Sequence, residues 1–247
     1  MIELALIGIG MGTPDHLTGA AIAAINGADL ILIPRKADKR GDLADLRHQV
    51  LAAVQTAPVP VAEFDMPERD ARADYLGAVD DWHDQIAACW LAALRAHLPQ
   101  GGRAALLVWG DPSLYDSTLR IAARLDDLRV SVVPGITSLQ LLTAAHCVPL
   151  NGLAGAVTIT TGRRLRDHGW PEGAGSVAVM LDAGGAFSAL DPAGIQIWWG
   201  AYVGMAQESL IAGPLAEVGP QIIATRADLR ARHGWIMDIY LMRRGPG

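Results

Sequence analysis

The chain has little of several features that mark particular classes of protein. Only two of its 247 residues are cysteines, Cys89 and Cys147, and neither has a partner cysteine or histidine at the spacing of a metal site. No apolar run approaches the roughly 18 to 20 uninterrupted residues that a membrane helix needs. We therefore expect no disulfide framework, no metal site and no membrane span, and both cysteines are predicted to be small buried hydrophobic residues.

Positive charge is also scarce. There are 20 Lys and Arg residues against 26 Asp and Glu residues, and the formal net charge is -6. Proteins bind nucleic acid through a basic face, so a nucleic-acid partner is not expected. The first residues lack a basic segment and enter a strand-like run directly, which argues against a secretion signal. We expect a cytoplasmic protein.

Two local clusters of cations stand out from this acidic balance. Arg35 and Lys36 begin one cluster, and Arg163 and Arg164 begin the other, each directly after a predicted strand. At such a position they can hold substrate carboxylates, because a guanidinium binds a carboxylate through two parallel hydrogen bonds. The alternative is that each cluster is an ordinary solvated loop.

Hydrophobic residues make up 51% of the chain, and short apolar runs alternate with amphipathic stretches, including a predicted helix from Tyr75 to His97. This alternation is typical of a mainly parallel sheet covered by helices. The predicted strands lie at 2–8, 28–33, 103–109 and 129–133 and, beyond longer glycine-rich connections, at 156–161, 176–181, 195–200 and 235–242. We predict two α/β domains, residues 1–125 with a mainly parallel sheet and residues 126–247 with a mixed sheet.

The segment from Trp109 to Ser117 joins the predicted strand Ala104 to Val108 to a helix. Ligands of parallel α/β sheets bind beyond the carboxyl ends of the strands, and Gly110 and Pro112 restrict this loop to few backbone shapes. The loop is therefore a candidate ligand site. The alternative is a plain strand-to-helix turn in which Asp116 caps the helix.

A second candidate loop carries Gly8, Gly10 and Gly12 at the end of the first predicted strand. A dinucleotide-binding fingerprint requires a glycine or alanine three positions after its second glycine, and Thr13 stands there instead. The third glycine comes too early for that fingerprint. The loop is therefore not interpreted as a cradle for a pyrophosphate.

Three segments, taken in order, resemble the signatures of the tetrapyrrole methylase family. They are Gly8-x-Gly10-x-Gly12 with Asp15, Leu17 and Thr18, then Gly110-Asp-Pro-Ser-Leu-Tyr115, and finally Val133-Pro-Gly-Ile-Thr-Ser138. The resemblance covers nearly the whole chain and implies methylation of a precorrin with S-adenosylmethionine as cofactor. It also implies two α/β domains with an active-site cleft between them, a homodimer, and no metal.

Features outside these signatures resemble the family members that act on precorrin-5. They are Asp81-Trp-His83, the string from Trp109 to Arg120, and the segment from His233 to Tyr240. The resemblance implies methylation of precorrin-5 at ring carbon C-1, release of acetate and S-adenosylhomocysteine, and transient contact with neighbouring pathway enzymes. Two alternatives remain open: another precorrin C-methyltransferase, and a non-catalytic module that binds S-adenosylmethionine or a tetrapyrrole.

The same resemblance assigns roles to individual residues. The cofactor positions it implies are Trp109, Gly110, Asp111, Leu114, Thr137, Ser138, Met180, Leu181 and Ala201. The candidate substrate positions are Gly10, Gly12, Asp15, His16, Tyr115, Arg35, Arg163 and Arg164, with Lys36 as a further cation. Asp15, Asp116 and His83 are the candidate acid–base residues for the water that removes the acyl group. Alternatively, Asp116 caps a helix and His83 is a structural histidine. Trp198 and Trp199 either form a wall for a flat macrocycle or fill the core.

Overall fold

The computed structural model describes residues 1–35, 44–68 and 75–245, without the side chains of residues 75–78. The chain divides into two units, Met1–Thr137 and Ser138–Gly247. Each unit contains one five-stranded sheet with helices packed against it. The two α/β sheets predicted from the alternating pattern are thereby confirmed.

The first unit is built on a fully parallel sheet. Its strands are β1 (Ile2–Gly8), β2 (Leu30–Arg35), β3 (Val61–Asp65), β4 (Gly102–Val108) and β5 (Leu128–Val133), and they are ordered β3-β2-β4-β1-β5. Its helices are α1 (Gly19–Asn26), α2 (Ala44–Val54), α3 (Tyr75–His97) and α4 (Thr118–Ala122). Because β1 lies between β4 and β5, the loops that follow these three strands meet at one edge of the sheet.

Helices cover both faces of this sheet, which is why its central strands are apolar on both sides. On one face, Trp90 and Leu94 of α3 pack with Leu106 of β4. On the other face, Ile25 of α1 and Leu51 of α2 pack in a second cluster. Because both faces are covered, polar groups and a ligand can be accommodated only at the carboxyl ends of the strands.

The second unit is built on a mixed sheet. Its elements are α5 (Ser138–Ala145), β6 (Val157–Thr161), α6 (Gly162–His168), β7 (Ser176–Met180), β8 (Ile195–Ala201), β9 (Ser209–Pro214), α7 (Leu215–His233) and β10 (Asp238–Arg244). The strand order is β6-β7-β10-β8-β9, and only the β6–β7 pair is parallel. The predicted mixed sheet is confirmed.

The boundary between the units lies further along the chain than the predicted position after residue 125. Strand β5 pairs with β1 from Leu128 to Val133, so a boundary at 125 would remove an edge strand from the sheet that holds it. Strands β3 and β9 were not predicted from the sequence, because both are short and largely exposed on at least one side.

The cysteines also differ from expectation. Cys89 is half-buried on α3, whereas Cys147 is exposed and has a φ of 54° just after α5. Cys147 therefore does not act as a core residue, and the prediction that it is buried was wrong. In the described part of the chain, no helix is long and apolar enough to cross a membrane.

Candidate active site at the carboxyl ends of the strands

The three glycine-bearing segments meet at the carboxyl ends of β1, β4 and β5. A Cβ atom placed on Gly8 would lie 2.5 Å from the amide nitrogen of Gly135 and 2.8 Å from the carbonyl oxygen of Gly110. One placed on Gly135 would lie 2.1 Å from the same Gly110 oxygen. No side chain larger than hydrogen fits at either position, so glycine is required here for close approach of backbone to backbone.

Hydrogen bonds tie the same loops together. Gly110 donates its N–H to the carbonyl oxygen of Gly10 at 2.8 Å and accepts a bond from the Gly10 N–H at 3.3 Å. The Asp111 carboxylate is buried and accepts from the N–H and hydroxyl of Ser113, at 2.8 and 2.5 Å, and from the N–H of Gly135 at 2.8 Å. Asp111 therefore fastens the loop after β4 to the loop after β5.

These bonds determine the charge of Asp111. Burial alone would raise the pKa of its carboxyl group, but the hydrogen bonds from the Ser113 side chain and from the Gly135 and Ser113 backbone outweigh burial and lower that pKa. The group is ionised at neutral pH. Its side chain is used to hold the loops, which leaves ligand contact at this position to the backbone.

The first loop packs tightly on itself and on Trp109. Gly12 has a φ of 83°, and a Cβ there would come within 2.7–2.8 Å of the six-membered ring of Trp109. Gly10, with a φ of 64°, lies against the Cβ of His16 in the same way. Asp15 is exposed in the short 3-10 helix Pro14–His16, after which Thr18 caps α1. Asp15 therefore has a side chain that a ligand can reach.

The second loop has an open position at Gly110 and leads into helix α4. Gly110 has a φ of 67°, and a Cβ there would meet nothing within 4 Å, while Leu114 is half-buried. Tyr115 has a φ of 49° and is 42% exposed. Oδ1 of Asp116 accepts from the N–H of Thr118 at 2.6 Å and from its hydroxyl. The Asp116 carboxylate thus binds the first residue of α4, while Ser117 occupies the N-cap position and makes no side-chain cap.

A cavity of about 300 Å³ lies beside this loop. Its walls come from α2, α3, β4, the loop after β4, α4, the end of β2 and Met66 just after β3. They include Trp82, Trp90, Trp109, Tyr115 and Asp116. His83 is not among them. His83 is 4% exposed on α3, and burial first, then the Arg124 charge, lower the pKa of its imidazole. It is therefore neutral at pH 7.

The predicted cations have varied surroundings. Arg35, at the end of β2, pairs through two bonds with Glu63 of β3, at 2.5 and 3.0 Å, and His48 also contacts Glu63 at 2.7 Å. These partners lower the pKa of the Glu63 carboxyl group, and a substrate carboxylate would have to compete with it for Arg35. Arg163 and Arg164 are exposed in the first turn of α6. Lys36 lies outside the described residues.

The predicted positions after β5 and in the second unit differ in their exposure. Thr137 and Ser138 are both at least nine-tenths buried where α5 begins. Met180 ends β7, and Leu181 is 65% exposed with a φ of 52°. Asp182, directly after it, is buried and fixes the turn. A leucine in this left-handed conformation is conformationally costly.

Ala201 and its neighbours belong to the core of the second unit. Ala201 ends β8 and is fully buried, as is Trp199. The indole N–H of Trp199 donates to Asp238 at 2.9 Å, and Arg226 pairs with the same carboxylate at 2.8 Å. Trp199 therefore fills the core and does not form a wall for a flat macrocycle; core filling was one of the two roles predicted from the sequence. Trp198 is half-buried and stacks under Arg243 at 5.1 Å.

Sequence reasoning missed two features of these sites. Trp82 and Trp90 lie at helical spacing on α3, which is also the pattern of ordinary core residues, so the cavity they line had no signal of its own. Asp182 was missed because a lone Asp after a strand indicates only a turn. Among the described residues, no group of three or more His, Cys, Asp or Glu side chains is arranged to hold a metal ion.

Comparison with known proteins gives a consistent result. The chain is 46% identical to the precorrin-6A synthase [deacetylating] of Sinorhizobium sp, over 99% of this chain and 96% of that protein. It superimposes on a cobalamin synthesis related protein (CobF) of Corynebacterium diphtheriae with a TM-score of 0.83, at 36% identity and over 99% of both chains.

A more distant structure has the same fold. It is the uroporphyrin-III C-methyl transferase of Thermus thermophilus in complex with S-adenosylhomocysteine, with a TM-score of 0.61 and 21% identity over 98% of this chain and 92% of that one. Residues 3–219 match the sequence pattern of the Tetrapyrrole (Corrin/Porphyrin) Methylases. With three glycine signatures meeting at one edge of the parallel sheet and a match of this length, the chain belongs to the tetrapyrrole methylase family.

Proposed function

We propose that the protein is a methyltransferase that methylates precorrin-5 at ring carbon C-1 and releases acetate to give precorrin-6A. The observation that carries this proposal is the 46% identity to a precorrin-6A synthase [deacetylating] over nearly the full length of both chains. The balance is precorrin-5, S-adenosylmethionine and water to precorrin-6A, S-adenosylhomocysteine and acetate. The protein would act in the aerobic route to cobalamin.

The residues at the strand ends suit an S-adenosyl group. The open space beside Gly110 lets a ligand approach the backbone of Trp109 to Asp111, and in the second unit Leu181 offers an exposed apolar surface. The related fold crystallised with S-adenosylhomocysteine supports the same ligand. When bound, S-adenosylmethionine supplies an electrophilic methyl group. The remaining proposed contacts are Leu114, Thr137, Ser138 and Met180, and Ala201 is the least favoured position because it is fully buried in the core of the second unit.

The work of the protein is then mainly to position the carbon nucleophile. Methyl transfer requires the nucleophile in line with the S–CH3 bond at about 3–3.5 Å. Loops that are cross-linked by Asp111 and by the mutual Gly10–Gly110 bonds are rigid enough to hold such an alignment. The substrate carboxylates would be gathered by Arg35, Arg163 and Arg164, with Tyr115 and the Gly10–His16 loop contacting the macrocycle.

Removal of the acyl group requires a base that takes a proton from water. Asp15 is our first choice, because its side chain is exposed in the first loop. Asp116 is the second choice, because it lines the cavity although its Oδ1 is already bonded to Thr118. His83 is the least favoured of the three, since it is buried and lies outside the cavity lining.

An anaerobic incubation with precorrin-5 and methyl-labelled S-adenosylmethionine tests the function. One labelled methyl group in the macrocycle for each acetate released is the expected result. Methylation without acetate would point to another precorrin C-methyltransferase, and binding without either product would point to a non-catalytic module. Both outcomes would overturn the proposal.

Conservative variants test the base. Asp15→Asn is expected to slow acetate release about 100-fold or more. Asp116→Asn is expected to slow it much less, and its amide oxygen can still accept the hydrogen bond from Thr118. Asp127→Asn is the matched control, since Asp127 is exposed before β5, at the other edge of the sheet. If Asp15→Asn and Asp127→Asn released acetate at the same rate, Asp15 would not be the base.

We further propose a cytoplasmic homodimer that contacts neighbouring pathway enzymes transiently and binds neither nucleic acid nor metal. These properties are supported by the resemblance to the family and by the net charge of -6. Light scattering coupled to size exclusion tests the oligomeric state. A mass equal to one chain across a tenfold range of concentration would overturn the homodimer.

A further inference from the structure

The turn that follows β7, from Leu181 to Ala186, is held through its backbone groups by two buried side chains. The Asp182 carboxylate accepts from three backbone N–H groups of the turn. Arg226 of α7 donates from Nη2 to the carbonyl oxygen of Asp182 at 2.5 Å and from Nη1 to that of Ala183 at 3.3 Å. One side chain thus binds backbone donors of the turn, and the other binds backbone acceptors.

Arg226 is itself oriented by a buried carboxylate. Its Nε and Nη2 atoms donate to Asp238, the first residue of β10, at 2.8 and 3.3 Å. The indole N–H of Trp199 donates to the same carboxylate at 2.9 Å. The side chains of Arg226 and Asp238 are only 9% and 2% exposed. Because a guanidinium is planar and rigid, its contact with Asp238 fixes the direction in which its other N–H groups point.

These contacts give a role to the segment from His233 to Tyr240, which lies outside the three glycine-bearing signatures. Asp238 orients Arg226, and the Tyr240 hydroxyl donates to the Asp182 carboxylate at 2.8 Å. The two residues are separated by one position on β10, the spacing at which side chains of a strand share a face. Both side chains that hold the turn therefore have a partner on this strand.

Stability alone does not account for a charged pair at this position. Removing two charges from water costs free energy that their attraction offsets only in good geometry, and an apolar pair of similar volume often stabilises a core equally well. A buried pair can instead specify one conformation of the chain. The conformation here includes Leu181, whose φ is 52°, and a non-glycine residue keeps such a φ only where its surroundings impose it.

Leu181 is also the residue of this turn that the proposed function places against the cofactor, and it is 65% exposed. The bonds from Arg226 reach the two residues that directly follow it, so they constrain where Leu181 lies. We propose that Arg226, oriented by Asp238, is a positioning residue that holds the turn after β7 in the conformation that binds S-adenosylmethionine. The identity of the ligand rests on the proposed function, whereas the contacts of the turn belong to the second unit alone.

Arg226→Lys tests this role. A lysine keeps a positive charge beside Asp238, but its ammonium group lacks the planar fork that reaches two carbonyl oxygens at once. If about one molecule in ten then holds the binding conformation, the dissociation constant for S-adenosylhomocysteine rises about tenfold. Calorimetric titration of the intact protein with S-adenosylhomocysteine measures this change. Arg230→Lys is the matched control, since Arg230 is exposed one turn further along α7.

Kinetics distinguish positioning from a general loss of structure. Saturating S-adenosylmethionine draws the variant back into the binding conformation, so KM for S-adenosylmethionine should rise about tenfold in Arg226→Lys while kcat stays within about twofold. A lower kcat with an unchanged KM would overturn the proposal.

Leu181→Asn tests whether Arg226 acts through the conformation of the turn. Asparagine tolerates a positive φ better than leucine does, so the turn of this variant needs less support. Arg226→Lys is therefore expected to weaken S-adenosylhomocysteine binding by less than about threefold when Leu181→Asn is present, which is a coupling between the two sites. The same tenfold loss in both backgrounds would overturn the proposal.

Urea titration checks that each variant is folded. If Arg226→Lys is not, the neutral pair Arg226→Met with Asp238→Asn takes its place, because the asparagine oxygen can still accept from Trp199. Equal affinity for S-adenosylhomocysteine in the Arg226 variant and in Arg230→Lys would overturn the proposal. Binding of S-adenosylhomocysteine requires no precorrin. A failure to methylate precorrin-5 would therefore overturn the proposed function and leave the result for Arg226 standing, so the two failures are distinguishable.

Discussion

Replacement of Asp182 by alanine is expected to destabilise the second unit, because this carboxylate accepts hydrogen bonds from four donors. They are the backbone N–H groups of Gly184, Gly185 and Ala186, at 2.9, 3.1 and 2.6 Å, and the Tyr240 hydroxyl at 2.8 Å. The Asp182 side chain is 0% exposed. One side chain thus ties the turn after β7 to the central strand β10.

The size of the loss depends on which donors water can reach. Gly184 is exposed, so water can solvate its N–H group, whereas the bonds from Gly185, Ala186 and Tyr240 are buried. A buried donor left without an acceptor costs about 1–3 kcal/mol, and relaxation of the turn favours the lower end. Three such donors give an expected loss of about 3–4 kcal/mol in the free energy of unfolding. Asp182→Asn, which keeps one acceptor oxygen, is expected to lose about half as much.

Urea titrations followed by circular dichroism measure this loss as a shift in the midpoint. Asp191→Ala is the matched control, because Asp191 also accepts from a backbone N–H two residues later, that of Ala193 at 3.1 Å, but in an exposed position. The control is expected to change stability by about 0.5 kcal/mol or less. If Asp182→Ala shifted the midpoint no further than Asp191→Ala, the reasoning from buried donors would be refuted.

Three further substitutions test the first unit. Gly135→Ala would place a Cβ 2.1 Å from the Gly110 carbonyl oxygen and is expected to cost about 3 kcal/mol in urea unfolding. Gly152→Ala, in open space, should be neutral, and equal midpoints for the two variants would contradict this. The pKa of Asp111 is lowered in the folded state, so its contribution is complete above about pH 5 and is lost as the pH falls further. The stability difference between the unmodified protein and Asp111→Asn should therefore shrink between pH 5 and pH 3, and a constant difference would exclude this linkage. The pKa of His83 is lowered by burial, so stability should decline as the pH falls below about 6.5. His83→Gln should reduce that decline, and an unchanged pH profile would show that His83 is not responsible.

The fold was largely predictable because its signals are local. Apolar strands and an amphipathic helix predicted the parallel and mixed sheets, and the helix from Tyr75 to His97 was found with the predicted ends. The domain boundary was not predictable in the same way. Strand β5 lies in the first unit only because it pairs with β1. The sequence of a single strand does not show which distant strand it pairs with.

The sequence predicted the part of the candidate site in which the backbone geometry requires glycine. It did not predict features that depend on which groups surround a side chain in the packed structure. Gly8, Gly110 and Gly135 meet because each lies at the end of a strand or just beyond it, which sequence spacing reveals. Trp90 looks like a core residue from its helical position, and only the absence of an acceptor for its N–H among the described residues distinguishes it. Burial and hydrogen bonding are properties of the packed structure, so this feature had no counterpart in the sequence.

Backbone contacts and side-chain contacts at the edge of the first sheet have different consequences for substitution. The loops are fixed by the close approach of Gly8 and Gly135 to the carbonyl oxygen of Gly110, and neither Gly8 nor Gly135 has room for a Cβ. The cavity is shaped in part by Trp82 and Trp90 of α3, which lie outside the glycine loops. Substrate preference is therefore expected to change through cavity residues. Trp82→Phe should alter the ratio of kcat/KM for precorrin-5 and earlier precorrins, and an unaltered ratio would place substrate selection outside this cavity.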